Sequence, residues 1–414
     1  MSPPREPRVA FLPDSFPEIN GVAHTARQFT AWAARTGRPF LCIYGNSGGE
    51  SGGVKGGTGR LLRQGALQTL ELPRGFASFA LDKDLRYDLF FARHGPRILE
   101  TLRAFRPDII HITGPSELGM LGALFAHRLG VPLAASWHTN VHEYAARRSW
   151  RLLRALPPAL RPYAAARIER SAFRATARFY QMARVLFAPN PELCALLARV
   201  TGRPCRLTPR GVDAQLFSPT RRTAPAPGQS GVWTLGYVGR LSVEKNVALL
   251  ARVVAMLRQQ GIQHVRFLIV GQGLEEPALR LALPNAVFTG VLRGEALAEA
   301  YANMDCFVFP SHTDTFGNVV LEAMASGVPA IVTSEGGPAH LVRASECGGI
   351  AAGIIASDED FAAAVERLLA DRKLHASMRT RARKYAEEQS WDAVFEGIYA
   401  GYAQALVPES NSPI

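Results

Sequence analysis

In the segment FVFPSHTDTFGNVVLEAMASGVPAIV, residues 307–332, Asp314 stands just before an amphipathic stretch and Glu322 stands eight residues further on, inside it. A strand ending at Phe309 or Pro310, then a polar loop, then a helix beginning near Gly317 would bring free backbone N–H groups and a positive dipole end beside that aspartate. Eight residues of helix rise about 12 Å, so the two carboxylates span a distance of nucleotide-sugar size. One is suited to sugar hydroxyls and the other to ribose hydroxyls, with an anionic diphosphate at the helix start between them. Phe316, Gly317 and Asn318 make up that start and are the candidate donor contacts there. A plainer account stays open, in which Thr313 or Asp314 caps the helix and Glu322 lies on its surface.

A second cluster is GYVGRLSVEKN, residues 236–246. Arg240 and Lys245 follow a strand's carboxyl end, where two cations would neutralise the charge that grows on a diphosphate leaving group; solvated cations at a helix entry are the alternative. Near the start, RVAFLPDSFPEINGV delivers a strand to Gly21, which opens a helix and lets a main-chain N–H approach an anion. After the strand PLAAS comes His138, which would point into the crevice of an α/β domain; the commoner arrangement for a lone histidine is burial on backbone partners. His111 ends another strand and has a weaker claim. Gly271-Gln272-Gly273 lacks the third glycine and downstream acid of a dinucleotide site, so NAD binding is excluded there. No carboxylate in the first half stands out as a nucleophile.

The elements that must hold these residues follow from short apolar runs alternating with amphipathic stretches, the pattern of parallel α/β structure. In the first half, strands are expected over 8–12, 39–44, 108–112, 132–136, 184–188 and 205–208, with helices over 21–35, 95–105 and 117–129. Residues 219–231, PTRRTAPAPGQSG, are proline-rich without apolar periodicity and read as a linker. The alternation then restarts, with strands over 233–238, 265–270, 286–289, 306–309 and 330–333, and helices over 245–260, 294–303, 317–325 and 360–370. The expected organisation is a first domain over 1–218, the linker, a second domain over 232–390, and a terminal helix and tail over 391–414 that can pack back across either domain. Doubly wound sheets open their ligand crevices beyond the strands' carboxyl ends, which places the expected site in a cleft between the domains. The glycine-rich stretch 46–65 contains Lys55 but no phosphate-loop order and reads as a flexible connection.

Composition agrees with two ordinary globular domains: 414 residues, 47% hydrophobic and 20% charged. No run nears the roughly 18 apolar residues of a membrane span, and the first residues carry no signal-peptide core. Five scattered cysteines without metal-ligand spacing read as reduced thiols of a cytoplasmic protein. The acidic run at 358–360 reads as a helix cap, and neither metal nor cofactor is expected. The net charge of +12 is concentrated: ten arginines lie between Arg147 and Arg184 against one acid, Glu169. Such a stripe is either a solvated helix face or a surface for an anionic membrane or acceptor; no nucleic-acid module accompanies it.

Together, PDSFPEINGV, SWHTN, PRGVD and SHTDTFGNVVLEAMASG resemble the family 4 retaining glycosyltransferases of the GT-B fold, among them bacterial GDP-mannose-dependent α-mannosyltransferases and related lipid glycosyltransferases. The resemblance runs through most of the chain. It implies two Rossmann-like domains and an E-x7-E pair at Asp314, for donor hexose hydroxyls, and Glu322, for the ribose. It also implies a diphosphate-binding pair at Arg240 and Lys245, an active-site histidine at His138 and a loop glycine at Gly21. Asp314 departs from the more usual glutamate, and Asn20 from a second glycine. The implied reaction is metal-independent transfer of a hexose, mannose from GDP-mannose or a UDP-hexose, onto a lipid or glycan hydroxyl by front-face attack. Rival readings are an epimerase or phosphorylase acting on nucleotide sugars, a basic nucleic-acid-binding protein, and an inactive nucleotide-binding scaffold.

Overall fold

The computed structural model describes residues 6–18, 21–46, 59–75, 78–82, 85–137, 157, 161–225, 229 and 231–407. The chain forms two compact units, Met1–Pro209 with Val394–Ile414, and Arg210–Ala393.

The first unit runs β1 (Val9–Leu12), α1 (Gly21–Arg35), β2 (Phe40–Asn46), β3 (Arg60–Gln64), β4 (Leu67–Pro73), β5 (Ser78–Asp82), β6 (Leu85–Asp88), α2 (Gly95–Phe105), β7 (Ile109–Ile112), α3 (Glu117–Leu129), β8 (Leu133–Ser136), α4 (Arg161–Tyr180), β9 (Val185–Ala188), α5 (Pro191–Thr201) and β10 (Cys205–Leu207). Its main sheet has the order β10-β9-β8-β7-β1-β2-β4-β3 among the described residues. Pairing is parallel except between β3 and β4, and β5 with β6 makes a separate hairpin. β1, β7, β8 and β9 are buried at every position and covered on both faces, which is why they are apolar apart from His111 and Ser136, two buried polar residues that meet each other. β1 pairs with β2 on one side and β7 on the other, so the winding reverses between β1 and β7, where such sheets open their crevice. The connection expected over 46–65 is corrected in part. Residues 60–64 form the antiparallel edge strand β3, whose side chains are mostly exposed and polar and so carry no apolar signal; residues 47–58 lie outside the described residues.

The second unit runs β11 (Trp233–Val238), α6 (Ala248–Gln259), β12 (Val265–Val270), α7 (Glu276–Ala282), β13 (Val287–Gly290), α8 (Gly294–Ala302), β14 (Cys306–Phe309), α9 (Asn318–Ala325), β15 (Ala330–Thr333), α10 (Gly336–Ala344), β16 (Gly353–Ala356), α11 (Phe361–Ala370) and α12 (Arg372–Glu388). All neighbours in its sheet, β13-β12-β11-β14-β15-β16, are parallel, and the winding reverses between β11 and β14. Gly271 explains the glycines after β12: a Cβ there would lie 1.9 Å from the Gly239 carbonyl oxygen. The bare backbone lets this turn pack on the loop after β11 rather than on a cofactor.

Of the expected linker 219–231, residues 222–224 are held to the second unit, and residues 226–228 and 230 lie outside the described residues. Arg222 donates to the Ala302 and Met304 carbonyls and pairs with Asp305 at 2.8 Å, and Asn303 accepts from the Thr223 and Ala224 amides. The chain changes unit earlier, at Pro209/Arg210, because Arg383 reaches the Ala214 and Phe217 carbonyls and holds 210–218 to the second unit. The last helix, α13 (Trp391–Leu406), returns the chain to the first unit. There Phe395 stacks on Phe29 at 4.7 Å. No helix of the described residues is long and apolar enough to cross a membrane. Cys42 and Cys306 are buried, whereas Cys347 is exposed.

Candidate active site

At the reversal in the second sheet, the loops after β11 and β14 lie against each other. Tyr237, fully buried at the end of β11, donates its hydroxyl to the Arg240 carbonyl at 2.8 Å and so shapes the loop that carries the exposed Arg240. Lys245 ends a short turn and donates to both carboxylate oxygens of Asp314 at 2.7 Å each, with its ammonium 5.8 Å from the Phe309 ring centre. Both side chains are about one-fifth exposed. This is a partly shielded ion pair, more strongly coupled than an open surface pair. The Gly337 amide fixes the Asp314 carbonyl at 2.9 Å. Burial is the main force pushing the Tyr237 phenol well above its ordinary value; the Asp314 charge adds to it and Arg240 opposes it.

Asp314 leads into Gly317, whose φ of +89° heads α9 in the left-handed region that favours glycine. Asn318 is partly accessible at the first helical position. The Phe316 side chain is buried in the second unit's core, so what this residue offers a ligand is its backbone. Glu322, one helical face further on, accepts the hydroxyl of fully buried Tyr301 at 2.8 Å. Burial pushes the Glu322 carboxyl up to about 7, and the Tyr301 hydrogen bond works against that rise. Arg240 is thus held on buried Tyr237, Lys245 on Asp314, and Glu322 on buried Tyr301. Asp314 is therefore paired rather than a simple cap, and Glu322 is bound inward rather than solvated.

In the first unit Gly21 is exposed at the start of α1. His138 lies outside the described residues, which stop at buried Trp137 just beyond β8. His111 is structural: it meets the Tyr402 hydroxyl at 2.5 Å and the Ser136 hydroxyl at 2.7 Å. Burial pushes its imidazole down to about 3, leaving a neutral pin between the sheet and α13. A carboxyl group does stand at the crevice of this sheet. Asp14, just past β1, accepts from Ser116 at 2.5 Å, and its amide donates to the Thr113 hydroxyl at 2.7 Å. Burial lifts Asp14 to about 7; Ser116 lowers it, Glu117 raises it and Arg74 lowers it. Arg74 and Glu117 pair at 3.2 Å beside it.

Residues 233–371 match the family described as Glycosyl transferases group 1, and residues 19–216 match Glycosyltransferase Family 4. A GDP-mannose-dependent alpha-mannosyltransferase of Mycolicibacterium smegmatis is 32% identical over 406 residues, which are 96% of this chain and 98% of that protein. The chain belongs to glycosyltransferase family 4. Solved structures share the fold of this glycosyltransferase. Sucrose-phosphate synthase from Thermosynechococcus elongatus has a TM-score of 0.68 at 19% identity, over 96% of this chain and 98% of its own. HepE from Anabaena, in complex with UDP and glucose, has a TM-score of 0.63 at 16% identity, over 96% and 99%. The fold is GT-B, built from two parallel-sheet α/β domains.

Sequence reading of this glycosyltransferase missed Asp14, whose partners Thr113 and Ser116 are 99 and 102 residues away. It also read residues 358–360 only as a cap. Asp358 in fact accepts from Asn246 at 2.9 Å and meets His312 at 3.0 Å, fastening the loops on either side of Lys245 and Asp314.

Proposed function

We propose that this glycosyltransferase moves a hexose, with mannose from GDP-mannose as first candidate, onto a lipid or saccharide hydroxyl with retention of anomeric configuration. The observation that carries the reading is the Lys245–Asp314 pair at the second sheet's reversal, flanked by Arg240 and Glu322. An ammonium has three donors; two are spent on Asp314, and the third is available to a diphosphate oxygen. A carboxylate has about four acceptor sites, so Asp314 keeps capacity for hexose hydroxyls while holding Lys245. Glu322 takes the ribose hydroxyls, and the backbone from Phe316 to Asn318 meets the phosphates. Gly21 and His138 are the first domain's candidates, by resemblance, for a donor phosphate and for the sugar.

The bond between the anomeric carbon and the diphosphate oxygen breaks first, and negative charge grows on that oxygen. Arg240 and Lys245 stabilise it, acting where charge appears in the transition state. The acceptor oxygen attacks the face just vacated, and its proton passes to the departing diphosphate, leaving a glycoside and a nucleoside diphosphate. These cations do the neutralising work, so the reading includes turnover that persists in chelator. Asp14 lies at the first sheet's reversal and accepts a hydrogen bond from the acceptor hydroxyl. Free thiols fit a cytoplasmic setting.

The mannosyl reading leans on the full-length mannosyltransferase relative. A UDP-hexose is the second reading, favoured by the UDP and glucose held by HepE on a similar fold. A thermal-shift panel of GDP, GDP-mannose, UDP and UDP-glucose tests both. At a hundredfold excess over Kd the cognate ligand raises Tm by roughly 5 °C or more. A larger response to UDP-glucose replaces the first reading by the second, and a panel without any shift removes the nucleotide-sugar site altogether.

A further inference from the structure

The helix α4 is not used by the chemistry above. One side of it packs on the first unit's core through Thr176, Ala177 and Tyr180, all buried. A helical step of about 100° puts Tyr163, Arg167, Arg170, Arg174 and Arg178 within an arc of about 80° on another side. All five are exposed, Tyr163 by 77%. The four guanidiniums extend over about 17 Å of helix. Among the described residues none of the four makes an ion pair, and Arg170 reaches only the Ala166 carbonyl of its own helix, at 3.2 Å. Some other arginines of this unit are matched with acids, among them Arg38 with Glu396 and Arg93 with Asp88. The stripe is thus a row of uncompensated positive charge on a rigid element, and its like charges repel one another in the isolated protein.

We propose that this face of α4 docks the enzyme on an anionic lipid surface. Charge complementarity carries the proposal: a straight row of unpaired guanidiniums suits a plane of phosphate headgroups, where each arginine contributes roughly fivefold to partition. Tyr163 shares the arc, and Met182 is 53% exposed just past the helix. Such side chains place an apolar body at the headgroup boundary with a basic flank. The contact is docking rather than insertion, since no helix of the described residues can span a bilayer. The surface would present lipid-borne or lipid-adjacent acceptors to the first domain.

The test is co-sedimentation of the full chain with phosphatidylcholine vesicles, with and without phosphatidylglycerol, at low and physiological salt. Wild type is expected to partition onto the phosphatidylglycerol vesicles only, and less as salt rises. R170Q/R174Q should lose roughly thirtyfold in partition at an unchanged Tm, while R252Q/R258Q, exposed cations on α6 of the second unit, should keep it. Equal partition of R170Q/R174Q and wild type overturns the proposal. So does an equal loss in the α6 variant, which would make net charge alone responsible. Wild type that ignores both vesicles but retards duplex RNA through the same two arginines replaces the lipid surface with nucleic acid.

Discussion

Replacing Glu322 by glutamine keeps the side chain's volume and removes its charge, so it isolates what the carboxylate does for the donor. Burial lifts this carboxyl from an ordinary value of 4.5 to about 7. Ribose hydroxyls donate to an ionised carboxylate, and the ionised fraction for a value near 7 is about one-tenth at pH 6 and about nine-tenths at pH 8. Donor affinity should therefore rise roughly tenfold between those pH values, or about 1.4 kcal/mol. GDP-mannose is the informative ligand, because both ends of its diphosphate are esterified and it loses no proton in this range, unlike GDP. Calorimetry at pH 6 in two buffers of different ionisation enthalpy should show release of about 0.9 proton on binding, falling to about 0.1 at pH 8. In E322Q the affinity should be flat with pH and, at pH 8, roughly ten- to a hundredfold weaker, the range for a lost charge-assisted hydrogen bond. Asp14 also titrates near 7, so D14N is the control and should keep the slope. Equal wild-type affinities at pH 6 and pH 8, or a slope that survives in E322Q, refute the ribose role.

The same shift governs stability, with a definite sign. The folded value lies above the unfolded one, so as pH rises the unfolded chain releases its proton first. The contribution is fully present below about 4.5, is lost as pH rises toward 7, and is flat beyond. A span of about 2.5 pH units corresponds to up to about 3 kcal/mol. E322Q should consequently resist urea better than wild type at pH 8 while binding donor worse, the exchange expected where a buried carboxylate is kept for function.

Arg240→Ala should lower kcat about a hundredfold, the loss of about 3 kcal/mol for one contact to developing charge; near-wild-type turnover would take Arg240 out of the site. Asp14→Asn should reduce transfer while leaving GDP-mannose affinity unchanged, and intact-mass spectrometry of wild type with donor alone should find no glycosyl adduct. An adduct that vanishes in D14N would replace front-face attack with double displacement through Asp14. Tyr402→Phe removes the hydroxyl that meets His111 at 2.5 Å and should cost about 1–3 kcal/mol in urea unfolding; an unmoved midpoint would mean the pin carries no load.

What the sequence makes legible depends on how far apart the partners of a feature lie along the chain. β1, β9 and β14 are buried and apolar at every position, so their strand character is written locally. β3 is not, because an edge strand with exposed side chains looks like a loop. α12 hides for a related reason: its buried line of His375, Met378, Ala382 and Tyr385 is diluted among charged residues. Phe316 shows the opposite case: its place beside Asp314 suggests a side-chain contact with a ligand, while its ring is buried in the core and leaves only the backbone for one. The candidate site divides the same way. Arg240 with Lys245, and Asp314 with Glu322, are each legible as a short motif at a strand end. That the two motifs come into contact is decided by β14 lying directly beside β11, which closes a gap of 69 residues between Lys245 and Asp314. Asp14 has no motif of its own and becomes visible only when β7 comes alongside β1 and brings Thr113 and Ser116 to it. Sheet order therefore turns residues of ordinary type into a site, and each reversal of winding gathers one such group.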